Sequence, residues 1–226
     1  KTTDGGQTWV LLNHPATDKF LYSVNPIDEN LVYCVGWFET ILKSTNGGID
    51  WQVIRNGTFG QGASYWASFF LNAHLGWIAG SSQKILKTTN GGVTIDSIHA
   101  FIGNIRDIYF KDALTGILCG EGGTLWKSTN GGLNWYEPNI QLHGNLYNFT
   151  ELSVVNDSLI WIIGNINPVY RSDDFGENWD SIGYVSGSNQ TYTVHFSSAL
   201  TGYCGGSFGR MSKTTDGGFT WLEENT

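Results

Sequence analysis

Residues 127–135 read KSTNGGLNW, and five other segments of the chain repeat this nine-residue pattern. Each copy begins with Lys or Arg, continues with a hydroxyl residue and an Asp or Asn, turns at a Gly, and in five copies ends in Trp. The other copies are residues 1–9 (KTTDGGQTW), 43–51 (KSTNGGIDW), 87–95 (KTTNGGVTI), 171–179 (RSDDFGENW) and 213–221 (KTTDGGFTW). Successive copies start 40 to 44 residues apart, which is the period of a four-stranded propeller blade. The repeat therefore predicts an all-β chain, a β-propeller of four-stranded antiparallel blades with one copy per blade.

The residues inside each copy predict a tight hairpin turn. An Asp or Asn side chain can accept the backbone N–H two residues ahead and form an Asx-turn; these residues are Asp4, Asn46, Asn90, Asn130, Asp174 and Asp216. The Gly two positions later supplies a backbone conformation with positive φ. The last residue of each copy is predicted to be a buried apolar plug beside the turn; these residues are Trp9, Trp51, Ile95, Trp135, Trp179 and Trp221.

The segments between the copies read as strands. Residues 105–110 are rich in β-formers, residues 116–120 form a short apolar run, and residues 124–129 alternate into the next copy. The second strand of every interval ends in Gly seven or eight residues before the next copy. We expect these glycines to serve packing near a crowded axis rather than phosphate binding, and no GxxxxGK[ST] or GxGxxG segment is present.

The repeated pattern resembles the Asp-box, also called the bacterial neuraminidase repeat, of sialidases, sortilin-type receptors, xyloglucanases and photosystem II assembly factors. Residues 108–135 look most like the photosystem II assembly factor-like propellers, a family name that also covers many secreted bacterial proteins. The resemblance implies that each box joins the third and fourth strands of a blade and is structural. It also implies a bacterial protein that is secreted, periplasmic or displayed at the cell surface.

The register of the boxes predicts the domain organisation. Residues 1–12 supply the last strand of one blade, and complete blades follow at residues 13–56, 57–100, 101–140, 141–184 and 185–226. An exposed sheet edge is a pairing hazard, so we expect six or more blades in an intact protein. The alternative is five blades that close alone with a spare strand.

Composition excludes several classes of function. The net charge is −8, and six of the twelve basic residues open the boxes, so the clustered cations of a nucleic-acid groove are not expected. No apolar stretch is long enough to span a membrane. The three cysteines fall at similar second-strand positions of three different blades and are predicted to be unpaired core residues. The histidines lack zinc-site spacing, and the acidic group at residues 173–177 lacks the alternation of a calcium loop, so no metal or cofactor is predicted.

The loops at the end of each blade away from the box are the candidate ligand-binding surface, because propellers place function on loops around one face. Aromatic rings beside hydrogen-bonding side chains suit a glycan or an extended peptide. The candidate residues are Trp37, Phe38, Glu39, Tyr65, Trp66, Glu121, His143, Asn165, Asn167 and Phe208.

Three functions stay open at this stage. The leading hypothesis is a non-enzymatic scaffold or recognition module for protein or glycan. A glycoside hydrolase fragment would need two facing carboxylates, for which Glu39 and Glu121 are the candidates, or a sialidase-type arginine triad, for which only Arg55, Arg106 and Arg210 remain outside the boxes. The third is an assembly factor for a membrane complex.

Overall fold

A computed structural model describes residues 1–15, 18–58, 60–81, 84–99, 103–140, 148–165, 168–185 and 190–224. These residues form five sheets that follow one another along the chain. The first two sheets belong to one compact unit, Lys1–His99, and the other three belong to a second, Ala100–Thr226. The prediction of an all-β chain built from successive antiparallel sheets is confirmed.

The strands of each sheet lie side by side in sequence order. The first sheet contains β1 (Leu21–Pro26), β2 (Val32–Gly36), β3 (Thr40–Ser44) and β4 (Gln52–Arg55). The second contains β5 (Tyr65–Phe70), β6 (Gly76–Gly80), β7 (Lys84–Thr88) and β8 (Asp96–His99). The third contains β9 (Ile105–Phe110), β10 (Gly116–Gly120) and β11 (Leu125–Ser128). The strand β12 (Asn139–Ile140) then joins the fourth sheet, which contains β13 (Phe149–Val154), β14 (Ile160–Gly164), β15 (Pro168–Ser172) and β16 (Asn178–Tyr184). The fifth contains β17 (Thr191–Phe196), β18 (Gly202–Gly206), β19 (Met211–Thr214) and β20 (Leu222–Glu224).

The second strand of each sheet is the centre of the core. All five residues of β6, β10 and β14 are buried, as expected for strands covered on both faces. Trp77 and Trp161 are among the largest fully buried side chains. The three cysteines, Cys34, Cys119 and Cys204, are buried and unpaired in these second strands, as the sequence predicted.

The glycine that ends each second strand is required by a close backbone approach. A Cβ on Gly120 would lie 2.0 Å from the carbonyl oxygen of Asn104. The next backbone N–H, from Glu121, donates to that same carbonyl at 2.9 Å, and the register of β9 and β10 shifts there. The same approach recurs at Gly36, Gly80, Gly164 and Gly206. Close packing explains these glycines, as expected, and the second strand that carries each of them lies between the first and third strands of its sheet.

The third sheet departs from the predicted four strands. After its box only one backbone bridge forms, between Lys127 and Tyr136, with both hydrogen bonds at 2.9 Å. Pro138 follows two residues later and has no N–H to continue the ladder. The chain instead leaves as β12 and pairs in parallel with β16 of the fourth sheet.

The box turn is closed mainly by its hydroxyl residue. In the box at residues 127–135, Ser128 Oγ accepts the backbone N–H groups of Asn130 at 3.3 Å and Gly132 at 2.9 Å. Asn130 Oδ1 accepts the N–H of Asn134, four residues ahead, at 2.9 Å. The predicted Asx-turn to the second residue was therefore wrong. Two successive residues with positive φ, Gly131 at 72° and Gly132 at 85°, curl the chain so that the later N–H faces the amide oxygen.

The tryptophan that ends a box folds back onto its own turn. The indole N–H of Trp221 donates to the carbonyl of Gly218 at 3.0 Å, and Trp9 makes the equivalent bond to Gly6. Trp179 and Trp221 are buried, as predicted, whereas Trp51 and Trp135 are half-buried and Trp9 is 71% exposed. The prediction of burial was wrong for these three and also for Ile95, which is half-buried. Residues 1–15 form no strand, so the Trp9 ring has no sheet of its own to pack into.

Candidate functional site

Each sheet has a box end and a box-free end. At the box end, the backbone N–H of the first left-handed box residue donates to the turn between the first and second strands, for example from Gly47 to the carbonyl of Asn30 at 2.8 Å. The equivalent donors in the other sheets are Gly91, Gly131, Phe175 and Gly217. At the box end, backbone hydrogen bonds therefore hold the box turn against the turn between the first and second strands of the same sheet. The box-free end consists of the turns between the second and third strands and the connections from one sheet to the next.

The boxes also receive side chains from the preceding sheet. Tyr33 of β2 donates its hydroxyl to the carbonyl of Gly91 in the second box-bearing sheet at 3.0 Å, and Lys43 donates to the same oxygen at 3.0 Å. In the second unit, the Trp161 indole N–H donates to Gly217 at 2.8 Å. The box carbonyls are thus acceptors for sheet-to-sheet contacts, which is a packing role.

The first sheet carries an aromatic cluster at its box-free end, formed by Phe20, Tyr22, Trp37 and Phe38. The Phe20 and Trp37 rings meet edge to face with centroids 4.5 Å apart. Phe38 and Tyr22 lie 5.3 and 6.5 Å from Trp37. Phe20 and Tyr22 are exposed, and Trp37 and Phe38 are half-buried. Two of the predicted site residues, Trp37 and Phe38, therefore share one partly exposed apolar surface.

Glu39 lies next to this cluster but is engaged by Arg55. The Arg55 Nε and Nη2 atoms both donate to Glu39 Oε2, at 3.0 and 2.6 Å. The Glu39 backbone N–H donates to Ala63, and Gly57 donates to Phe38, so the connection after β4 clasps this turn. The carboxylate is consequently held in an ion pair.

Tyr65 lies in the core, in contrast to its neighbour Trp66, which is half-buried. Desolvation raises the pKa of Tyr65 to about 12; the Arg55 cation opposes that rise and the Glu39 carboxylate adds to it. The Tyr65 hydroxyl has no hydrogen-bond partner among the described residues. Tyr65 is close enough to Glu39 and Arg55 to feel their charges, but it does not reach the surface.

Glu121 is held in the corresponding turn of the third sheet. Asn104 Nδ2 donates to Glu121 Oε2 at 2.7 Å, and Arg106 forms an ion pair with the other carboxylate oxygen. Desolvation acts to raise the pKa of Glu121, but the hydrogen bonds from Asn104 and Arg106 lower it below its ordinary value. A glycosidase acid needs the opposite shift. Nothing in this turn prepares Glu121 to donate a proton.

Asn165 binds the backbone of Asn148 at the box-free end of the fourth sheet. Its side-chain oxygen accepts the N–H of Asn148 at 3.1 Å, and its own N–H donates to the Asn148 carbonyl at 3.0 Å. Asn148 also accepts the N–H of Gly122 at 2.8 Å. The other two predicted site residues, His143 and Asn167, lie outside the described residues.

Among the predicted site residues that the structure describes, Phe208 is the most exposed. It stands in the turn between β18 and β19 with 88% of its surface exposed and with φ at 61°. Phe38 occupies the turn between β2 and β3 with φ at 49°. An aromatic residue in the left-handed region is uncommon. Two separate turns thus hold a Phe in a conformation that favours glycine.

The arginines required for a sialidase-type triad are each paired with an acidic residue of their own sheet. Arg55 pairs with Glu39, Arg106 with Glu121, and Arg210 with Glu223 at 3.3 Å. Among the described residues, no group of three His, Cys, Asp or Glu side chains is placed to hold a metal ion. No helical turn in the described ranges is long or apolar enough to cross a bilayer.

Two features escaped the sequence analysis. In four boxes, the residue that follows the two consecutive glycines of the turn is apolar and exposed; these residues are Ile49, Val93, Leu133 and Phe219. Asp107 and Glu151, on the first strands of the third and fourth sheets, accept backbone N–H groups of the next sheet, from Leu152 at 2.9 Å and Val194 at 2.6 Å. Strand alternation could have indicated an acidic residue facing the core, but its partner could not be inferred.

Comparison with known proteins identifies the architecture. Residues 99–186 match the family model described as photosynthesis system II assembly factor YCF48. YCF48 from Cyanidioschyzon merolae superposes with a TM-score of 0.71 at 18% identity, over 98% of this chain and 76% of that one. The WD40 β-propeller domain of Doa1 also superposes, with a TM-score of 0.67 at 16% identity, over 91% of this chain and 68% of that domain. The chain has the β-propeller fold.

This propeller also resembles further solved structures. A YCF48 structure bound to D1 peptide superposes with a TM-score of 0.54 at 19% identity, covering 94% of this chain and 84% of that one. The Niastella koreensis GH74 enzyme superposes with a TM-score of 0.68 at 16% identity, but this propeller spans only 38% of that enzyme. No curated protein sequence matches the chain. At these identities the likeness establishes the fold, and the predicted resemblance to photosystem II assembly factor-like propellers is confirmed.

Proposed function

We propose that this propeller is a recognition module that binds a protein partner through its box-free turns. The observation that carries the proposal is Phe208, a large apolar side chain that is 88% exposed and held with φ at 61°. A non-glycine residue in the left-handed region costs about 1–3 kcal/mol. Because the Phe208 side chain is exposed, burial within the chain does not offset this cost. A binding role explains why Phe occupies this position.

The aromatic cluster of the first sheet supports the same role. Phe20 and Tyr22 are exposed and lean on the half-buried Trp37. Aromatic side chains dominate the energetic centres of protein interfaces, because they bury a large area at a small cost in side-chain entropy. The neighbouring Glu39 and Arg55 neutralise each other, so this surface presents rings rather than net charge.

The enzyme alternative has less support. Glu39 and Glu121 are both tied to arginines, and the pKa of Glu121 is lowered rather than raised. Among the proteins that this propeller resembles, one YCF48 structure contains a D1 peptide. That precedent favours a peptide segment as the ligand. An extracytoplasmic location, a scaffold role and glycan binding stay predictions from the sequence.

Peptide-library display and a glycan array, both probed with the purified chain, test the proposal. We expect selected peptides to bind saturably, and we expect Phe208→Gly to weaken them at least tenfold without lowering thermal stability, because Gly relieves the strained φ. The matched control is Phe219→Ala, since Phe219 is 53% exposed at the box end. Equal weakening by both substitutions, or selection of glycans alone, would contradict the proposal.

A further inference from the structure

One face of the fifth sheet is exposed. A row of directly paired residues crosses this face, namely His195 of β17, Tyr203 of β18, Lys213 of β19 and Leu222 of β20. His195 is exposed, and Tyr203 and Leu222 are 37% and 73% exposed. In the fourth sheet, Trp161 holds the position of Tyr203 and is fully buried in a cluster that it shares with the fifth sheet. The described part of the chain provides no such cover for the fifth sheet.

The first sheet shows what binds at these positions. Tyr33 and Lys43 hold the places of Tyr203 and Lys213, and both donate to the carbonyl oxygen of Gly91, in the box of the second sheet, at 3.0 Å. The Lys43 ammonium lies 5.4 Å from the centroid of the Tyr33 ring, and the Lys213 ammonium lies 5.5 Å from that of Tyr203. The fifth sheet therefore holds the same two donors in the same arrangement. Within the described residues, neither of them has a hydrogen-bond acceptor.

The box at residues 1–9 offers a matching acceptor. Gly5 and Gly6 have φ at 72° and 92°, so this turn has the left-handed form of the other boxes. A Cβ on Gly91 would lie 3.3 Å from both Lys43 Nζ and the Tyr33 hydroxyl, the donors of the preceding sheet. A Cβ on Gly5, at the same box position, would meet no atom within 4 Å. The Gly5 carbonyl oxygen thus has no donor of this kind among the described residues.

Apolar side chains beside the acceptor and beside the donors are exposed as well. Trp9 and Val10, at the end of the box, are 71% and 63% exposed. In the box at residues 213–221, Trp221 lies in one buried cluster with Val169 of the preceding sheet. Met211 holds the position of Val169 in the fifth sheet and is 40% exposed. A box that docks on the fifth sheet would therefore bring its Trp to Met211 and bury both side chains.

We propose that the exposed face of the fifth sheet binds the box at residues 1–9 of a second copy of this chain. The Tyr203 hydroxyl and the Lys213 ammonium donate to the Gly5 carbonyl oxygen of that copy, and Met211 packs against its Trp9. A second copy is the partner that fits, because every copy exposes both halves of a contact that neighbouring sheets already make. The two halves differ, so the interface is heterologous and joins copies head to tail. This association goes beyond the proposed function and does not use the box-free turns.

Sedimentation velocity of the full chain over a range of protein concentrations tests the proposal. The wild-type sedimentation coefficient should rise with concentration as copies associate. A face variant, Tyr203→Phe with Lys213→Ala, should associate at least about tenfold more weakly, because both donors are lost. A box variant, Gly5→Phe, should show a similar loss, because its ring occupies the space that the donors need. Phe175 holds the same position of its own box with φ at 54°, so the turn accepts this residue.

A mixture of the two variants supplies the decisive comparison. The face variant keeps an intact box and the box variant keeps an intact face, so an equimolar mixture should recover association and stop at pairs. Gly122→Phe is the matched control and should associate as the wild type does, because Gly122 has φ at 67° and open space around it at the box-free end.

Two results would overturn the inference. One is a wild-type sedimentation coefficient that does not change with concentration. The other is a mixture that associates no better than either variant alone. Peptide binding through Phe208 uses another surface, so either result would leave the proposed function standing.

Discussion

The hydroxyl of Tyr33 donates to the carbonyl oxygen of Gly91 at 3.0 Å, which ties the second strand of one sheet to the box of the next. Trp161 makes the equivalent contact to Gly217 at 2.8 Å. The repeated box is thus both a turn within its own sheet and an acceptor for its neighbour. The left-handed turn that glycine permits is what directs these carbonyl oxygens toward the preceding sheet.

Removing the Tyr33 hydroxyl should weaken the first unit. We expect Tyr33→Phe to lower the free energy of unfolding by about 1–2 kcal/mol, because the buried carbonyl of Gly91 loses one donor and keeps only Lys43. Tyr203 occupies the same position of the fifth sheet but is 37% exposed. Tyr203→Phe should therefore change stability by less than about 0.5 kcal/mol. Urea unfolding of both variants measures the difference, and equal losses would refute the inter-sheet contact.

We expect the side chains of Phe175 and Ile117 to compensate for each other's size in the core. Ile117 stands where Tyr33 and Trp161 stand in other sheets, and Phe175 replaces the usual box glycine with φ at 54°. Both are buried in one cluster, so the Phe ring fills the space that a smaller Ile leaves. Phe175→Gly alone should lower the unfolding free energy by about 2–4 kcal/mol, since the lost packing exceeds the relieved strain.

The double variant Ile117→Tyr with Phe175→Gly recreates the pairing of Tyr33 and Gly91. Ile117→Tyr alone should destabilise by about 1–3 kcal/mol through overpacking. The double variant should recover at least about 1 kcal/mol relative to the sum of the single losses. Additive losses in a double-mutant cycle would show that the two side chains do not compensate each other.

Asp216 should make its box sensitive to acid. Its carboxylate accepts the hydroxyl of Thr220 at 2.6 Å and the backbone N–H of Thr220 at 3.0 Å, and these bonds lower its pKa to about 2. A lowered pKa gives a contribution that is present above the unfolded value near 3.8 and is lost as the pH falls toward 2.

Asp216→Asn isolates that contribution. Asn90 already makes the neutral version of this contact, donating from Nδ2 to Thr94 Oγ1 at 2.9 Å. The variant should keep most of its stability at pH 7 and lose its acid-dependent part between pH 4 and 2, as followed by circular dichroism. An unchanged acid profile would contradict the assigned hydrogen bonds.

Asp107 should have the opposite effect from Asp216 on how stability changes with pH. Burial raises its pKa to about 7, the backbone bond from Leu152 opposes that rise, and Glu151 adds to it. A raised carboxyl pKa means that the folded protein holds a proton that the unfolded chain releases, so stability falls as the pH rises from about 4 to 7. The slope should reach up to about 1.4 kcal/mol per pH unit.

Asp107→Asn should flatten this slope in chemical unfolding measured at several pH values. Asn has only one side-chain oxygen in place of the two carboxylate oxygens that accept backbone N–H groups. The test therefore compares how the free energy of unfolding changes with pH, and not its absolute value. Glu151 also has a raised pKa through burial, and His195 and Thr193 oppose that rise, so Glu151→Gln should remove a further part. A wild-type stability that rises through this range would contradict the assignment.

Much of the fold was predictable because the six boxes carry local chemistry that does not depend on distant residues. Hydroxyl, amide and glycine at fixed spacing are enough to specify a turn such as residues 128–132, and the period gives the strands. The details that failed depend on neighbours. Trp9 is exposed because residues 1–15 form no strand around it. Within the described ranges the third sheet has three strands, and Pro138 has no N–H to extend the bridge between Lys127 and Tyr136.

The candidate site was only partly predictable. Aromatic residues in turn segments of the sequence indicated Trp37, Phe38 and Phe208 as site candidates. The sequence did not indicate how exposed each ring is. Tyr65 is the first residue of β5, and it is buried whereas Trp66, the next residue of that strand, is half-buried. The arginine partners of Glu39 and Glu121 lie 16 and 15 residues away along the chain, and hairpin register rather than any motif brings them together.

Photocrosslinking tests most directly the claim that the box-free end binds the partner. A photoreactive phenylalanine analogue replaces Phe208 in one sample and Phe219 in another, and each is irradiated with a display-selected peptide. We predict that the peptide is captured from position 208 and not from position 219. Capture from position 219 alone would place recognition at the boxes and contradict the account.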